Sequence, residues 1–158
     1  QPHKRYLAVL DGDANFTEFS CQSPLGNDPR RKGLGCVLPV DQGGKTARSD
    51  FRIVERGEGW TLALVTPHTG RPHQIRIHAA SLGFPLAGDK DYNPDPDRLG
   101  VERQALHAAV LGFRHPATGC AVRVEAPLAE DLKSALERLR AMPAAATTAA
   151  GQPEAAGD

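Results

Sequence analysis

Apolar and polar residues alternate in several windows of this chain, with the two-residue period of a half-buried strand. Residues 5–10, RYLAVL, form the first window, and the turn signal DGDAN follows it. Residues 47–55, ARSDFRIVE, and 60–66, WTLALVT, are joined by RGEG and predict a β-hairpin. Later, ALHAAVLGFRH and GCAVRVEAP flank the turn HPATG and predict two more strands. Residues 36–40, CVLPV, predict a short strand, with Pro39 favouring a sheet edge because it has no N–H to give to a ladder. NDPRRKGLG is read as a loop and DQGGK as a hairpin-type turn.

The period lengthens to about 3.6 residues in two places. Residues 71–82 predict a helix, with Pro72 in its first turn and Gly83 as its stop. Arg71, Ile75, His78 and Leu82 fall on one face of it, and His73, Arg76 and Ala80 on another. Residues 128–141 predict a last helix, with Leu128, Leu132, Leu136 and Leu139 on one side. Residues 83–100 read as a long loop. Strands, helix, strands, helix predict an α+β domain with a mixed, mostly antiparallel sheet and packed helices. That domain is placed at residues 1–141. Residues 142–158, rich in Ala, Pro and Gly, are expected to be a disordered tail, having too little apolar surface to offset ordering entropy.

Composition narrows the classes. Lys and Arg balance Asp and Glu at 19 each, which argues against a nonspecific polycation. The first ninety residues carry a small basic excess and the remainder an equal acidic one. Cys21, Cys36 and Cys120 are scattered, with no CxxC, so neither a zinc knuckle nor a disulfide framework is indicated. No long apolar run or signal segment occurs, and the expectation is a cytoplasmic protein without a membrane partner.

The richest chemistry lies in residues 69–78, TGRPHQIRIH. His68, His73 and His78 recur every five residues, and a step of about 140° along a helix does not make ligands converge, so no metal site is expected. No nucleophile elbow and no phosphate loop occur. Arg71, His73, Gln74 and Arg76 fit either a solvated helix face or a phosphate- or carboxylate-binding one. A semi-buried Arg76 would demand an acidic partner, because an unpaired buried charge is strongly destabilising. Tyr6 is either an ordinary strand aromatic or a platform for a nucleobase, with Lys4 or Arg5 near phosphates. The basic cluster at residues 30–32 is either a solvated loop or an RNA backbone contact.

Taken in order, these motifs resemble the RluA-type RNA pseudouridine synthase family. The resemblance runs from Lys4 to about Leu139. It is carried by Lys4-Arg5-Tyr6, Gly44-Lys45-Thr46-Ala47, the signature Thr69 to His78, the segment Gly83 to Tyr92, Leu106-His107-Ala108 and the His115-Pro116 turn. It implies part of a pseudouridine synthase catalytic domain that isomerises uridine in structured RNA, ribosomal or transfer, with no cofactor and no metal. By motif position it implies that Tyr6 packs on the flipped base and takes part in proton transfer. It likewise implies that Arg76 pairs with a catalytic aspartate. Lys4, Arg5, Arg71, His73 and Gln74 become expected RNA contacts. The family's His-Arg-Leu-Asp motif, which holds that aspartate upstream of the tyrosine strand, has no counterpart here. Asp89 is expected to brace its loop through backbone N–H groups. The chain is therefore expected to be a C-terminal portion whose sheet shows a bare edge and exposed apolar surface, the complete protein being a monomer. A noncatalytic RNA-binding module is the alternative. The reading stands or falls on Arg76 lying at the floor of a uracil-sized hollow, across from Tyr6.

Overall fold

The computed structural model describes residues 3–142, so the expected tail, apart from Met142, lies outside the described residues. Eight strands and two α-helices follow in the order β1 (His3–Asp11), β2 (Glu18–Cys21), β3 (Leu25–Asn27), β4 (Gly35–Val37), β5 (Ser49–Arg56), β6 (Trp60–Pro67), α1 (Gln74–Ser81), β7 (Leu106–Arg114), β8 (Ala121–Glu125) and α2 (Glu130–Arg140). A short 3-10 turn, Val40–Gln42, stands where a hairpin-type turn was expected. Six strands form one sheet in the order β2-β5-β6-β1-β7-β8, and β3 pairs with β4 in a separate hairpin. Every pairing is antiparallel. The α+β class holds, and no helix among the described residues is long and apolar enough to cross a membrane.

Strand alternation sorts the core onto two faces. Val9, Trp60 and Leu62 point to one side and pack with Leu132, Ala135, Leu136 and Leu139 of α2. Ala8, Leu10, Ala63, Val65 and Phe51 point to the other and pack with Ile75 and Ala79 of α1, and Tyr6 joins this second side. Helix α2 is amphipathic, as its leucine spacing predicts. Helix α1 is not: six consecutive residues, Gln74 to Ala79, are buried, because the main sheet, the β3–β4 hairpin and residues 84–93 close around it.

Three expectations are corrected. Helix α1 begins at Gln74 rather than at residue 71, because His73 takes a left-handed conformation, φ 54°, that ends the turn before it. Arg71 and Pro72 thus belong to a turn, and the helical-face argument for Arg71 falls. The short strand near Pro39 stops at Val37. Strands β2 and β3 have four and three residues, too few for a period to register, and were not foreseen.

Candidate functional site

Tyr6 and Arg76 line one hollow of about 380 Å³, together with Lys4, Thr69, Arg71, His73, Gln104 and Leu106. Their meeting follows from the elements. Even-numbered positions of β1 face α1, so Lys4 and Tyr6 look the same way, and the first helical turn carries Arg76 beneath them. The same alternation sends Arg5 to the opposite face, where it borders a separate depression with Asp50, Arg52 and Leu64. Arg5 is therefore not beside Tyr6, and the period of two contained that signal.

Arg76 is 8% exposed, and its demand for acid is met twice. Its Nε donates to Asp89 Oδ2 at 2.9 Å and its Nη2 to Asp89 Oδ1 at 2.7 Å, with a third bond from Nη2 to Asp91 Oδ2 at 2.6 Å. These bonds, Asp89 first, hold the guanidinium above its already high ordinary pKa, against the opposing effect of burial. Nη1 has no partner among the described residues. Since no buried side-chain nitrogen there lacks one, Nη1 must reach solvent. It is the one face of the guanidinium left for a further acceptor.

The sequence reading missed this role of Asp89. It braces the loop as expected, accepting from the backbone N–H groups of Asp91 and Tyr92 at 3.1 and 3.3 Å. The same carboxylate, fully buried, also grips Arg76. The preceding Gly88 lets this loop pack against the backbone of residues 101–103: it sits at φ +75°, and a Cβ there would lie 2.2 Å from the Arg103 carbonyl oxygen.

Gln74 was an expected RNA contact, and the structure turns it inward at 4% exposure. Its Oε1 accepts from the Thr69 hydroxyl at 2.6 Å and the Arg71 N–H at 3.1 Å. Its Nε2 donates to the Arg48 carbonyl and Ser49 Oγ, both at 2.9 Å. All four hydrogen-bonding positions of the amide are used by protein, so Gln74 shapes the wall rather than presenting a group to a ligand. Arg71 lies half-buried, its Nε donating to the Thr46 carbonyl. Exposed His73 bonds through Nδ1 to Tyr92 Oη at 2.8 Å. Lys4 has no ionic partner among the described residues. Gln104 is a wall residue that no motif flagged.

The histidines at five-residue spacing go to separate partners: His68 to Asp50, His73 to Tyr92, and His78, fully buried, to Ser49 and the Ser23 carbonyl. Among the described residues, no group of three His, Cys, Asp or Glu side chains could hold a metal. Asp11 pairs with Arg98 and Asn93, and Asp13 accepts from the Gly59 N–H, so both stabilise loops. Among the described residues, no carboxylate lines the hollow itself.

Residues 1–81 match the family model described as RNA pseudouridylate synthase. The chain is 41% identical over 137 residues to the uncharacterized RNA pseudouridine synthase YlyB of Bacillus subtilis, covering 87% of this chain and 44% of the relative. It is 40% identical over 144 residues to ribosomal large subunit pseudouridine synthase C of Escherichia coli K12, covering 87% and 45%. It thus spans under half the length of these relatives. Among solved structures, human RNA pseudouridylate synthase domain containing 1 superposes with a TM-score of 0.71 at 25% identity, over 90% of this chain and 67% of that one. The corresponding human domain containing 4 gives 0.70 at 19% identity, over 89% and 63%, a likeness of fold.

Proposed function

Since the chain belongs to the RNA pseudouridylate synthase family, we propose that it supplies the uridine-receiving half of an enzyme that isomerises uridine to pseudouridine in structured RNA. The reaction breaks the N1–C1′ bond, turns the uracil and forms a C5–C1′ bond. N1 gains a proton and C5 loses one, so no atom and no electron pair is exchanged with a cofactor. The observation that carries the reading is the shared hollow: a strand tyrosine above, and a buried guanidinium with one free nitrogen below. A flipped uracil can lie on the Tyr6 ring, whose hydroxyl is suited to carry the C5 proton away. Arg76 Nη1 is placed to hold an anionic oxygen, either the nucleophilic carboxylate or a carbonyl of the detached uracil. Lys4 and Arg71, at the rim, fit the flanking phosphates.

Because no carboxylate among the described residues lines the hollow, the nucleophile would come from sequence outside them. The same observation favours a second reading, an RNA-binding module that has lost the chemistry. Ribosomal RNA is the favoured substrate, supported by the relative whose name places its activity on the large subunit. Transfer RNA is the competitor.

The test uses the complete protein and RNA from a strain deleted for its gene, with pseudouridine mapped before and after incubation. Wild type should restore a modification, in ribosomal RNA. Arg76→Met should lower the rate at least about a hundredfold, the range for removing one oriented donor from a charged intermediate, while RNA affinity changes little. Binding without any restored modification would establish the second reading. Full activity of Arg76→Met would remove its assigned role.

A further inference from the structure

Tyr92 lies just behind the hollow, and three elements meet on it. Its ring is crossed by two guanidiniums, Arg76 with Cζ 4.9 Å from the centroid and Arg31 with Cζ 5.3 Å from it. His73 meets it edge-on, with centroids 5.7 Å apart at 71°. The hydroxyl accepts from the Gly35 N–H of β4 at 3.0 Å and is 2.8 Å from His73 Nδ1. Arg31, from the β3–β4 connection, also donates to the Asp91 carbonyl at 2.5 Å, and Asp91 holds Arg76 through its side chain. A Cβ at Gly35 would lie 2.7 Å from Ile77 Cδ1 and 4.0 Å from Tyr92 Oη, so β4 runs close against both α1 and the Tyr92 side chain.

We propose that Tyr92 is a positioning residue, which sets the guanidinium of Arg76 and the imidazole of His73 in the hollow and ties both to the β3–β4 hairpin. The proposal rests on the hollow being the uridine site. A residue that only filled the core would need neither a bonded hydroxyl nor guanidiniums over its ring. Here the hydroxyl has two polar partners and the ring meets two guanidiniums and an imidazole, and two of these partners, Arg76 and His73, line the hollow. His73 supports the same conclusion, being the one described non-glycine residue at positive φ, 54°. Such a conformation persists only where surrounding contacts over-determine it, and the Tyr92 hydroxyl is one of them. Gly35 donates to Oη, and the same hydroxyl is within hydrogen-bond reach of His73 Nδ1, so one phenol links β4 to the imidazole. The hairpin loop carries Arg30 and Lys32, exposed and without ionic partners among the described residues, beside the anchored Arg31. A phosphate drawn to that loop would pull on the element to which Arg76 and His73 are tied.

The experiment measures initial rates of the complete protein against the concentration of RNA from the deletion strain. Tyr92→Leu should lower the maximal rate at least about tenfold, as expected when a reacting group is misplaced, with the half-saturating RNA concentration within about threefold. Tyr92→Phe keeps the ring and should lose only about two- to fivefold. In an Arg76→Lys background, Tyr92→Leu should add less than about twofold, because residues acting through one another are not additive. Additive losses, or an unchanged maximal rate in a folded Tyr92→Leu protein, would overturn the proposal. If Tyr92→Leu does not fold, Tyr92→Phe decides alone: an unchanged maximal rate counts against the link. Hydrogen exchange at Arg76 Nε–H, assigned by its loss in Arg76→Lys, is read without activity. It should accelerate at least about tenfold in Tyr92→Leu and stay slow in Tyr92→Phe; unchanged exchange in Tyr92→Leu defeats the proposal. Should wild type make no pseudouridine, the functional reading fails, and the exchange result still decides whether Tyr92 positions Arg76.

Discussion

Arg76 shows how far a single residue can be read before its surroundings are seen. An arginine inside a helical window predicts a carboxylate partner, and one is present. What the sequence could not show is that the partner is the Asp of the Gly-Asp turn, thirteen positions on, serving loop and guanidinium together. That double use has a measurable consequence. Asp89→Asn leaves the Arg76 charge buried with one of its two acids gone, and should destabilise the protein by about 3–5 kcal/mol in urea unfolding. Asp91→Asn should change stability by less than about 1 kcal/mol, because the Asp91 side chain is 42% exposed and solvent screens its share. Equal losses would mean that the two carboxylates hold Arg76 alike. Gln74 carries the opposite lesson: its residue type suggested a ligand contact, and only the neighbouring carbonyls and hydroxyls reveal that its amide is fully engaged.

At the scale of elements, the long strands β5, β6 and β7 and helix α2 were legible because each spans enough residues for its period to register. The edge strand β2 was not, and it is held by something other than a hydrophobic pattern. It pairs only with β5, and at that junction Asp50 gathers Arg48 at 3.1 Å and His68 at 2.6 Å. Burial alone would raise the Asp50 pKa, but hydrogen bonds from Ser20 of β2, Arg48 and His68 outweigh it and bring it from 3.8 to about 2. A folded-state pKa below the unfolded one contributes stability that is complete above the unfolded value and lost as pH falls through the folded value. The window is therefore from about pH 4 down to about pH 2. Because the side chain is 34% exposed, screening reduces the effect to about 1 kcal/mol. Thermal melts of wild type and Asp50→Asn should converge as pH drops through that window. A constant gap between them would show that Asp50 does not pin the strand electrostatically.

For the whole molecule, the sheet has a covered side and an unfinished one. Tyr6 pairs with Ala108, Lys4 with Leu111, and Leu111 with Val124. Directly opposed residues of an antiparallel ladder share a face, so these positions form a continuous surface running from the hollow toward the β8 edge. Helix α1 covers the β5–β6 side of that face, yet Leu111 is 38% and Val124 50% exposed. Arg123 and Glu125 flank Val124, the pattern by which an edge strand resists chance pairing. If the proposed function holds, an apolar surface beside a hollow that no described carboxylate lines is where a segment bringing one would pack. The relatives, more than twice as long as the matched region, leave room for such a segment. This yields a direct comparison, with Val124→Cys as the reporter in a background where Cys36 and Cys120 are replaced by serine. In the 158-residue chain, alkylation of residue 124 should run at the rate of an exposed thiol. In the complete protein it should slow at least about tenfold, as burial removes the thiolate from solvent. Equal rates in the two proteins would leave this face open in both, and on the proposed function the nucleophile would then have to reach the hollow from the β3–β4 side.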